Sequence, residues 1–175
     1  MDIKDFILVK KNFLSKDKCL SLIERFKDKV QPGERKGFGY DAFDMEETAD
    51  FDEIDNTLRP FVRAYIKKFP EVHITWDKWA LTSMRFKKFN PGKAFTAWHS
   101  EHSRRYSTRI LNFQLYLSTH NCGTKFYNGK VIKSEIGKAV IFPSYFTHTH
   151  KGQRCPNRKT RYLITGYFNF LSQKM

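Results

Sequence analysis

Residues 85–101 read RFKKFNPGKAFTAWHSE, and the fold prediction starts from this stretch. It begins in a strand-like run rich in aromatic residues, turns at the Asn-Pro-Gly of residues 90–92 and ends at His99 and Glu101. Side chains two positions apart on a strand point to the same face of a sheet. His99 and Glu101 are therefore predicted to project together, with Ser100 turned away.

A histidine and a carboxylate on one strand face, about 6–7 Å apart, can bind the same cation. Non-haem Fe(II) sites use three such ligands on one face, two His and one carboxylate, and leave the opposite positions open. A third ligand is expected from a distant strand, where FPSYFTHTHKG (142–152) offers His148 and His150. The alternative is a surface His-Glu pair that binds no metal.

A basic residue follows these histidines at the start of a predicted strand. Arg161 opens RYLITGYF (161–168), and an arginine can bind a carboxylate through two parallel hydrogen bonds. Arg161 is therefore a candidate for holding an acidic cosubstrate. The alternative is a solvated strand end with no ligand.

The second half of the chain predicts a series of short strands with turn residues between them. A hairpin is predicted around Asn128 and Gly129. The predicted strands lie in ITWDKWALTSMRFKKF (74–89), RILNFQLYLS (109–118), KFYNGKVIK (125–133), KAVIF (138–142) and TRYLITGYFNF (160–170). Because helical segments precede these strands, the pattern indicates an α+β fold with a β-sandwich or barrel core.

The first half of the chain predicts two helices. Ser15 is a candidate N-cap for a helix whose apolar positions are Cys19, Leu22, Ile23, Phe26 and Val30. A second helical stripe comprises Leu58, Phe61, Val62, Tyr65, Ile66 and Phe69, with Pro60 expected in its first turn. The acidic segment between them, residues 41–55, has no clean period and is predicted to be a loop.

Length and composition favour one globular domain spanning residues 1–175, with helical support over about 1–72 and a β core over about 73–172. Hydrophobic residues make up 40% of the chain, which argues against disorder. No apolar run approaches the ~18 residues typical of a membrane span. The sequence therefore predicts a protein without a membrane partner.

Charge is distributed unevenly along the chain. The formal net charge is +14, and from Leu81 onward 17 Lys and Arg accompany only two acidic residues, Glu101 and Glu135. A basic second half favours an anionic partner or substrate. The same charge also serves solubility, so the net charge alone leaves both interpretations open.

Three cysteines, Cys19, Cys122 and Cys155, are scattered without metal-like CxxC spacing. An odd, scattered set is typical of reduced thiols rather than of a disulfide framework. The N-terminal segment MDIKDFILVKKNF (1–13) lacks the apolar run and cleavage site of a signal peptide. A cytoplasmic location is the resulting expectation.

These motifs together resemble the Fe(II)- and 2-oxoglutarate-dependent dioxygenases, and within them the prolyl 4-hydroxylase-like family. The segment 85–101 is similar to the family's strand, Pro-Gly turn and HxD segment. RILNFQLYLSTHNCGTKFYN (109–128) resembles its long core strand and Gly-Gly-x-x-F segment. GKAVIFPSYFTHTHKG (137–152) resembles the strand before the distal histidine, and TRYLITGYFNF the last core strand. KNFLSKDKCLSLIERF (11–26) resembles the helix that precedes the core.

The resemblance implies a double-stranded β-helix core, of the jelly-roll or cupin-like kind, with N-terminal supporting helices. It implies His99, Glu101 and a distal histidine as ligands of Fe(II), and Arg161 as partner of the distal carboxylate of 2-oxoglutarate. Tyr116 matches a tyrosine that helps to hold this carboxylate, and Thr124 is a candidate for the pocket wall. O₂ is the further cosubstrate implied, with ascorbate as a supporting reductant.

The distal ligand could be His150 or His148. If the segment is extended, both side chains lie on one face, so periodicity does not decide between them. The resemblance favours His150, because it lies 11 residues before Arg161, close to the family's usual spacing. His148 stays the alternative metal ligand. Two departures from the family pattern are Glu101 in place of Asp and Cys122 in place of a glycine.

The implied activity is hydroxylation of a substrate C–H bond, with conversion of 2-oxoglutarate to succinate and CO₂. The leading hypothesis is a protein or peptide side chain as substrate, as in prolyl hydroxylases. The first alternative is a nucleic-acid hydroxylase or demethylase of the same superfamily, supported by the basic second half and by segments such as HSRRYSTR (102–109). The second alternative is a non-catalytic, basic nucleic-acid-binding protein.

Overall fold

The computed structural model describes residues 4–33, 39–74, 77–156 and 158–171. These residues form two α-helices, α1 (Lys16–Phe26) and α2 (Ala49–Lys68), and three 3-10 helices at Pro70–His73, Arg104–Tyr106 and Phe146–His148. The strands are β1 (Leu8–Lys10), β2 (Gln31–Pro32), β3 (Asp41–Asp44), β4 (Trp79–Phe89), β5 (Arg109–Tyr116), β6 (Gly123–Phe126), β7 (Val131–Lys133), β8 (Ala139–Pro143), β9 (His150–Gly152) and β10 (Arg161–Phe170).

Two antiparallel sheets form the β core. A seven-stranded sheet has the order β1-β8-β5-β10-β4-β3-β2, and a three-stranded sheet has the order β7-β6-β9. The helices cover one face of the larger sheet, while the smaller sheet packs against the opposite face. The predicted α+β fold with a jelly-roll core and preceding helices is confirmed, although β1, β2 and β3 also come from the first half.

Alternate residues of the central strands serve different layers of the structure. On β10, Ile164 and Phe168 pack towards the helices, while Leu163 packs between the two sheets. On β5, Phe113 packs between the larger sheet and the helices, which we call the helix-side layer. Tyr116 packs between the two sheets, which we call the inner layer. This follows from the two-residue period of a strand. The inner layer is the one that reaches the candidate site described below.

Helix α1 begins and packs as its sequence predicts. The Ser15 side chain accepts a hydrogen bond of 3.2 Å from the Lys18 backbone amide, which satisfies one of the unpaired donors of the first turn. Its buried face consists of Cys19, Leu22, Ile23 and Phe26. Val30 lies beyond the helix end at Phe26, so the prediction that it continues the stripe is wrong.

The acidic segment 41–55 is not a loop, and this prediction is wrong. Its first part is strand β3, and its last part forms the first turns of α2. Acidic side chains are favourable at a helix N-terminus because the backbone dipole is positive there. Asp50 is also buried and accepts two hydrogen bonds from Arg25 of α1, of 2.8 and 2.6 Å. The segment therefore joins the two helices.

Helix α2 begins nine residues before the predicted stripe at Leu58, since its first residue is Ala49. Thr48 accepts a hydrogen bond of 3.3 Å from the Phe51 amide and acts as its N-cap. Pro60 consequently lies in the helix interior rather than in the first turn. It is exposed there, so the backbone carbonyl one turn earlier, which lacks a donor because proline has no N–H, is not enclosed in the core.

Both predicted turns are confirmed. The Lys93 amide donates to the Asn90 carbonyl at 2.9 Å across the Asn-Pro-Gly turn, where Gly92 has a φ of 76°. Gly129 has a φ of 92° in the hairpin between β6 and β7. Such positive φ values are adopted readily by glycine because it has no Cβ.

Two of the three cysteines are paired, which corrects the prediction of reduced thiols. Cys122 and Cys155 form a disulfide, with Cα atoms 5.0 Å apart. Cys122 precedes β6 and Cys155 follows β9, and these strands are neighbours in the smaller sheet. Because the two cysteines are 33 residues apart, the sequence alone did not predict their proximity. Cys19 is free and buried in α1.

No helix in the described ranges is both long and apolar enough to cross a membrane.

Candidate metal centre

Three side chains from two distant segments of the chain meet beside the inner layer. Nitrogen and oxygen atoms of His99, Glu101 and His150 all lie within 4.8 Å of one another. The Glu101 Oε1 atom lies 3.6 Å from His99 Nε2 and 3.7 Å from His150 Nε2. Two imidazoles and one carboxylate around a common centre are the donor set that suits non-haem Fe(II).

Backbone contacts orient both imidazoles towards this centre. The Nδ1–H of His99 donates to the Ala97 carbonyl at 3.0 Å, and that of His150 donates to the His148 carbonyl at 2.9 Å. Each ring therefore directs the lone pair of its Nε2 atom at the shared centre. The two residues also exchange backbone hydrogen bonds of 3.0 and 2.9 Å, which hold the rings 4.4 Å apart between centroids.

The electrostatics of the centre favour its metal-binding protonation states. Burial acts to raise the pKa of Glu101, but the contact with His99 and the charges of His150 and Lys87 outweigh it and place the pKa below its ordinary value. Burial and the neighbouring His99 lower the pKa of His150 to about 4, against the attraction of Glu101. A carboxylate and a neutral imidazole at neutral pH are the forms that bind cations.

The segment that carries His99 and Glu101 is not the regular strand that the sequence predicted. Only an isolated bridge pairs His99 with His150, and the amides of Glu101 and His102 both donate to the Ser144 carbonyl, at 3.0 and 2.9 Å. This shared acceptor breaks the strand pattern. The two side chains nevertheless point to one centre, as predicted.

His148 lies outside this group, although it is only two residues from His150. It ends a 3-10 helix, so the segment is not extended and the two histidines do not share a face. Its Nε2–H donates to the Asp5 carbonyl at 2.8 Å, and its Nδ1 accepts from the Thr147 hydroxyl at 2.9 Å. His102 also points elsewhere, since its Nε2 lies 3.1 Å from the Ser107 carbonyl.

The predicted cosubstrate residues form a second polar group in the inner layer. The Tyr116 hydroxyl donates to Thr124 Oγ1 at 2.9 Å, and Thr124 donates to Gln114 Oε1 at 2.6 Å. Arg161 is 3% exposed, and its cationic head lies 4.4 Å from the centre of the Phe89 ring. Gln114 also belongs to this polar group. The sequence could have indicated this, because Gln114 lies two residues before Tyr116 on β5 and so shares its face.

Arg161 has an unusual environment for a buried charge. Among the residues that the structure describes, its Nη1 makes one hydrogen bond, of 3.5 Å, to Cys122 Sγ, and its Nε has no hydrogen-bond partner. Among the described residues, no carboxylate lies within ion-pair distance of it. A buried, unpaired guanidinium is costly, so this position fits the carboxylate of a bound ligand.

A charged wall beside the metal centre was not predicted. Arg109 donates to Glu101 Oε2 at 3.4 Å, which leaves Oε1 facing the two histidines. Its guanidinium is held between the rings of Tyr106 and Tyr167, 3.7 and 3.6 Å from their centroids. Lys87 and Arg109 line one cavity beside Glu101. Burial lowers the pKa of Lys87 to about 8, although Glu101 acts to raise it.

The fold and the grouped donor set together define the class of jelly-roll, two-His-one-carboxylate proteins. Residues 84–169 match the family model described as the 2OG-Fe(II) oxygenase superfamily. The chain belongs to this superfamily and is a dioxygenase of the 2-oxoglutarate-dependent class, for which Fe(II) and 2-oxoglutarate are the implied metal and cosubstrate. No curated protein matches the sequence.

Solved structures with this fold include several prolyl hydroxylases. The viral collagen prolyl hydroxylase of Paramecium Bursaria Chlorella virus-1, in complex with 2OG, has a TM-score of 0.74, 17% identity and coverage of 95% of this chain and 97% of its own. A Pseudomonas putida prolyl-4-hydroxylase has a TM-score of 0.73, 16% identity and coverage of 97% and 95%. A Trichoplax adhaerens prolyl hydroxylase, in complex with a hypoxia inducible factor peptide fragment, has a TM-score of 0.72, 14% identity and coverage of 95% and 84%.

Proposed function

We propose that this protein hydroxylates a C–H bond of a protein or peptide side chain, as a single domain that spans residues 1–175. The observation that carries the proposal is the convergence of His99, Glu101 and His150 on one centre, with the buried cation of Arg161 in the same inner layer. The prolyl hydroxylases of similar fold support a peptide substrate, since one of them is in complex with a peptide fragment.

In this proposal, His99, Glu101 and His150 hold Fe(II). The Nδ1–H contacts with backbone carbonyls keep the two rings in place, and Arg109 holds the outer oxygen of Glu101. The bound metal, with 2-oxoglutarate and O₂, would supply the oxidation that converts a C–H bond to an alcohol. The protein's own contribution is to position these groups and to limit the access of water.

Arg161 would bind the distal carboxylate of 2-oxoglutarate, with the Tyr116 hydroxyl and Thr124 as neighbours. The planar guanidinium offers two parallel donors, which suits a carboxylate better than a lysine would. The site would shield this ion pair from water, because Arg161 is buried and its guanidinium lies 4.4 Å from the centre of the Phe89 ring. A shielded pair is stronger than an exposed one.

Mass spectrometry of candidate substrates tests the proposal. Peptides and oligonucleotides are incubated with the protein, Fe(II), ascorbate and 2-oxoglutarate, and each product is examined for a gain of one oxygen or the loss of a methyl group. We expect a peptide to gain one oxygen, with succinate formed in step. A protein that binds Fe(II) but forms no succinate with any substrate would contradict the proposal.

A nucleic-acid substrate is the second candidate. The observation that favours it is the excess of 17 Lys and Arg over two acidic residues from Leu81 onward. Phosphate neutralisation makes such binding strongly dependent on salt. Oxidation of an oligonucleotide in the same experiment would support this candidate, whereas binding without succinate formation would indicate a non-catalytic nucleic-acid-binding protein.

A further inference from the structure

A cavity of about 300 Å³ opens beside the metal centre, and its wall carries an excess of positive charge. In the part of the chain that the structure describes, four basic side chains line it, and Glu101 is the only carboxylate that does so. In the proposed enzyme this carboxylate is also bound to iron. The basic lining residues are Arg85, Lys87, Arg105 and Arg109.

Two of the four cations already have acidic partners. Arg85 donates to Asp44 at 2.6 Å, and Arg109 lies 3.4 Å from Glu101 while stacked between two tyrosine rings. Neither Lys87 nor Arg105 forms an ion pair with any carboxylate in the described ranges. These two cations are therefore the ones available to a bound anion.

Lys87 occupies the more enclosed position. It projects from β4 into the cavity, and its ammonium lies 4.7 Å from the centre of the Tyr40 ring. A half-buried ammonium loses solvation, and the contact with the Tyr40 ring offsets only part of this loss. Arg105 is exposed, in the 3-10 helix Arg104–Tyr106, so it stands at the outer edge of the same cavity.

We propose that Lys87 and Arg105 bind the carboxylate of an Asp or Glu in the substrate, so that the substrate is an acidic peptide. The inference rests on the proposed peptide hydroxylase function and names its substrate class. Lys87 and the ligand His99 line one cavity, so the acidic residue lies within a few positions of the oxidised one, at ~3.3 Å per extended residue.

The size of the cavity favours a peptide over a nucleotide. At about 300 Å³ it is at the lower end of the ~300–1,000 Å³ typical of ligand sites. That space suits one or two amino-acid side chains better than a base with its sugar and phosphate. The pairing of one lysine with one arginine is also sufficient for a single carboxylate.

Peptide binding tests the proposal independently of turnover. The probes are fluorescently labelled decapeptides with one central proline, identical except for Glu, Gln or Lys on both sides of it. Fluorescence anisotropy measures their Kd with the iron-loaded protein in 50 and 200 mM salt. We expect the Glu peptide to bind about tenfold more tightly than the Gln peptide, with a smaller difference at high salt.

Substitutions identify the residues that cause the preference for the Glu peptide. Lys87→Met keeps the length of the side chain and should reduce the preference for Glu over Gln to about twofold or less, and Arg105→Gln should reduce it partly. Lys87→Glu should reverse the preference in favour of the Lys peptide, because a like charge now opposes the acidic one. Lys16→Met is the matched control, since Lys16 is exposed at the start of α1 and should leave the preference unchanged.

Equal Kd values for the Glu and Gln peptides in the wild-type protein would overturn the proposal, as would a preference that survives in Lys87→Met. The proposal would also be overturned if a ten-nucleotide oligo-dT bound more tightly than the Glu peptide and lost affinity in Lys87→Met. That result would show that the cavity binds phosphate. Succinate formation, measured in parallel, distinguishes these outcomes from failure of the proposed function, which would abolish succinate with every peptide.

Discussion

The two faces of the seven-stranded sheet differ in what they bury. The helix-side face buries apolar side chains such as Phe86, Phe113 and Ile164. The opposite face of the same strands buries polar and charged groups, among them Gln114, His150 of the facing sheet and Arg161. Because neighbouring residues on one strand belong to opposite faces, stability and chemistry are assigned to alternating positions of the same short segments.

Removal of a proposed metal ligand should have the most severe consequence. His99→Ala should abolish 2-oxoglutarate turnover, because two remaining ligands hold Fe(II) poorly. His99 is not part of the helix-side layer, so the melting temperature of the metal-free protein should change little. Succinate formation, iron content and thermal unfolding measure these effects. Turnover at the wild-type rate with full metal content would contradict the ligand assignment.

A substitution on the helix-side face should have the converse outcome. Phe113 is fully buried against the helices, and Phe113→Ala should reduce the free energy of unfolding by about 3–5 kcal/mol through lost burial and a residual cavity. Urea denaturation measures this loss. Turnover per folded molecule should stay near the wild-type value at low temperature. A loss of iron affinity in the folded variant would show that the two faces are not separable.

Arg161→Ala tests the inner face without touching the proposed ligands. Removing one member of a buried charge pair costs about 2–5 kcal/mol, so the apparent KM for 2-oxoglutarate should rise roughly 30-fold or more. Iron affinity should be retained. Arg158→Ala is a control, since Arg158 is exposed nearby. A normal KM in Arg161→Ala would assign the cosubstrate carboxylate to another cation.

The neighbouring histidines His148 and His150 should respond differently to substitution. His150→Ala should lose iron and all turnover, whereas His148→Ala should keep iron and lose turnover only partly. The reason is that His148 binds the Asp5 carbonyl and the Thr147 hydroxyl rather than facing the centre. Iron content of the two purified variants measures the difference. Loss of metal in His148→Ala alone would reverse the assignment.

The strands and turns of the core were predictable because their signals are local. Alternating or apolar runs ended at Pro-Gly and Asn-Gly, and glycine adopts the positive φ at both turns. The grouping of His99 with Glu101 was predictable from spacing, although a shared acceptor at Ser144 replaces the regular strand.

What the sequence did not reveal depends on contacts between distant residues. The acidic segment looked like a loop because its charges mask the helix, and only the partner Arg25 explains a buried Asp50. The disulfide joins cysteines 33 residues apart, and only the pairing of β6 with β9 brings them together. Lys87 was part of the opening stretch, but its lack of an ion-pair partner among the described residues is a property of the folded cavity.

The smallest expected effect concerns one buried tyrosine on each face. Burial raises the pKa of Tyr116 to about 12, although the Thr124 hydrogen bond and the Arg161 charge act to lower it. Burial also raises the pKa of Tyr65, on the helix side, and there the charges of Asp5 and Glu71 add to the rise. Each folded-state pKa is above the ordinary value of ~10, so the neutral phenol stabilises the fold below pH ~10 and this contribution is lost as pH rises further.

Tyr116→Phe and Tyr65→Phe remove these ionisable groups, and the free energy of unfolding, measured in urea from pH 9 to 11.5, compares them with the wild-type protein. Each variant should become less destabilised relative to wild type as the pH rises, because above pH ~10 the tyrosine ionises in the unfolded wild-type chain while the buried phenol stays neutral. The change should be larger for Tyr65→Phe, since Arg161 lies near Tyr116 and favours its phenolate, whereas acidic groups surround Tyr65. A difference that stays constant over this pH range would show that burial does not raise these pKa values, and a larger change for Tyr116→Phe would show that the cation of the inner face does not reach the tyrosine beside it.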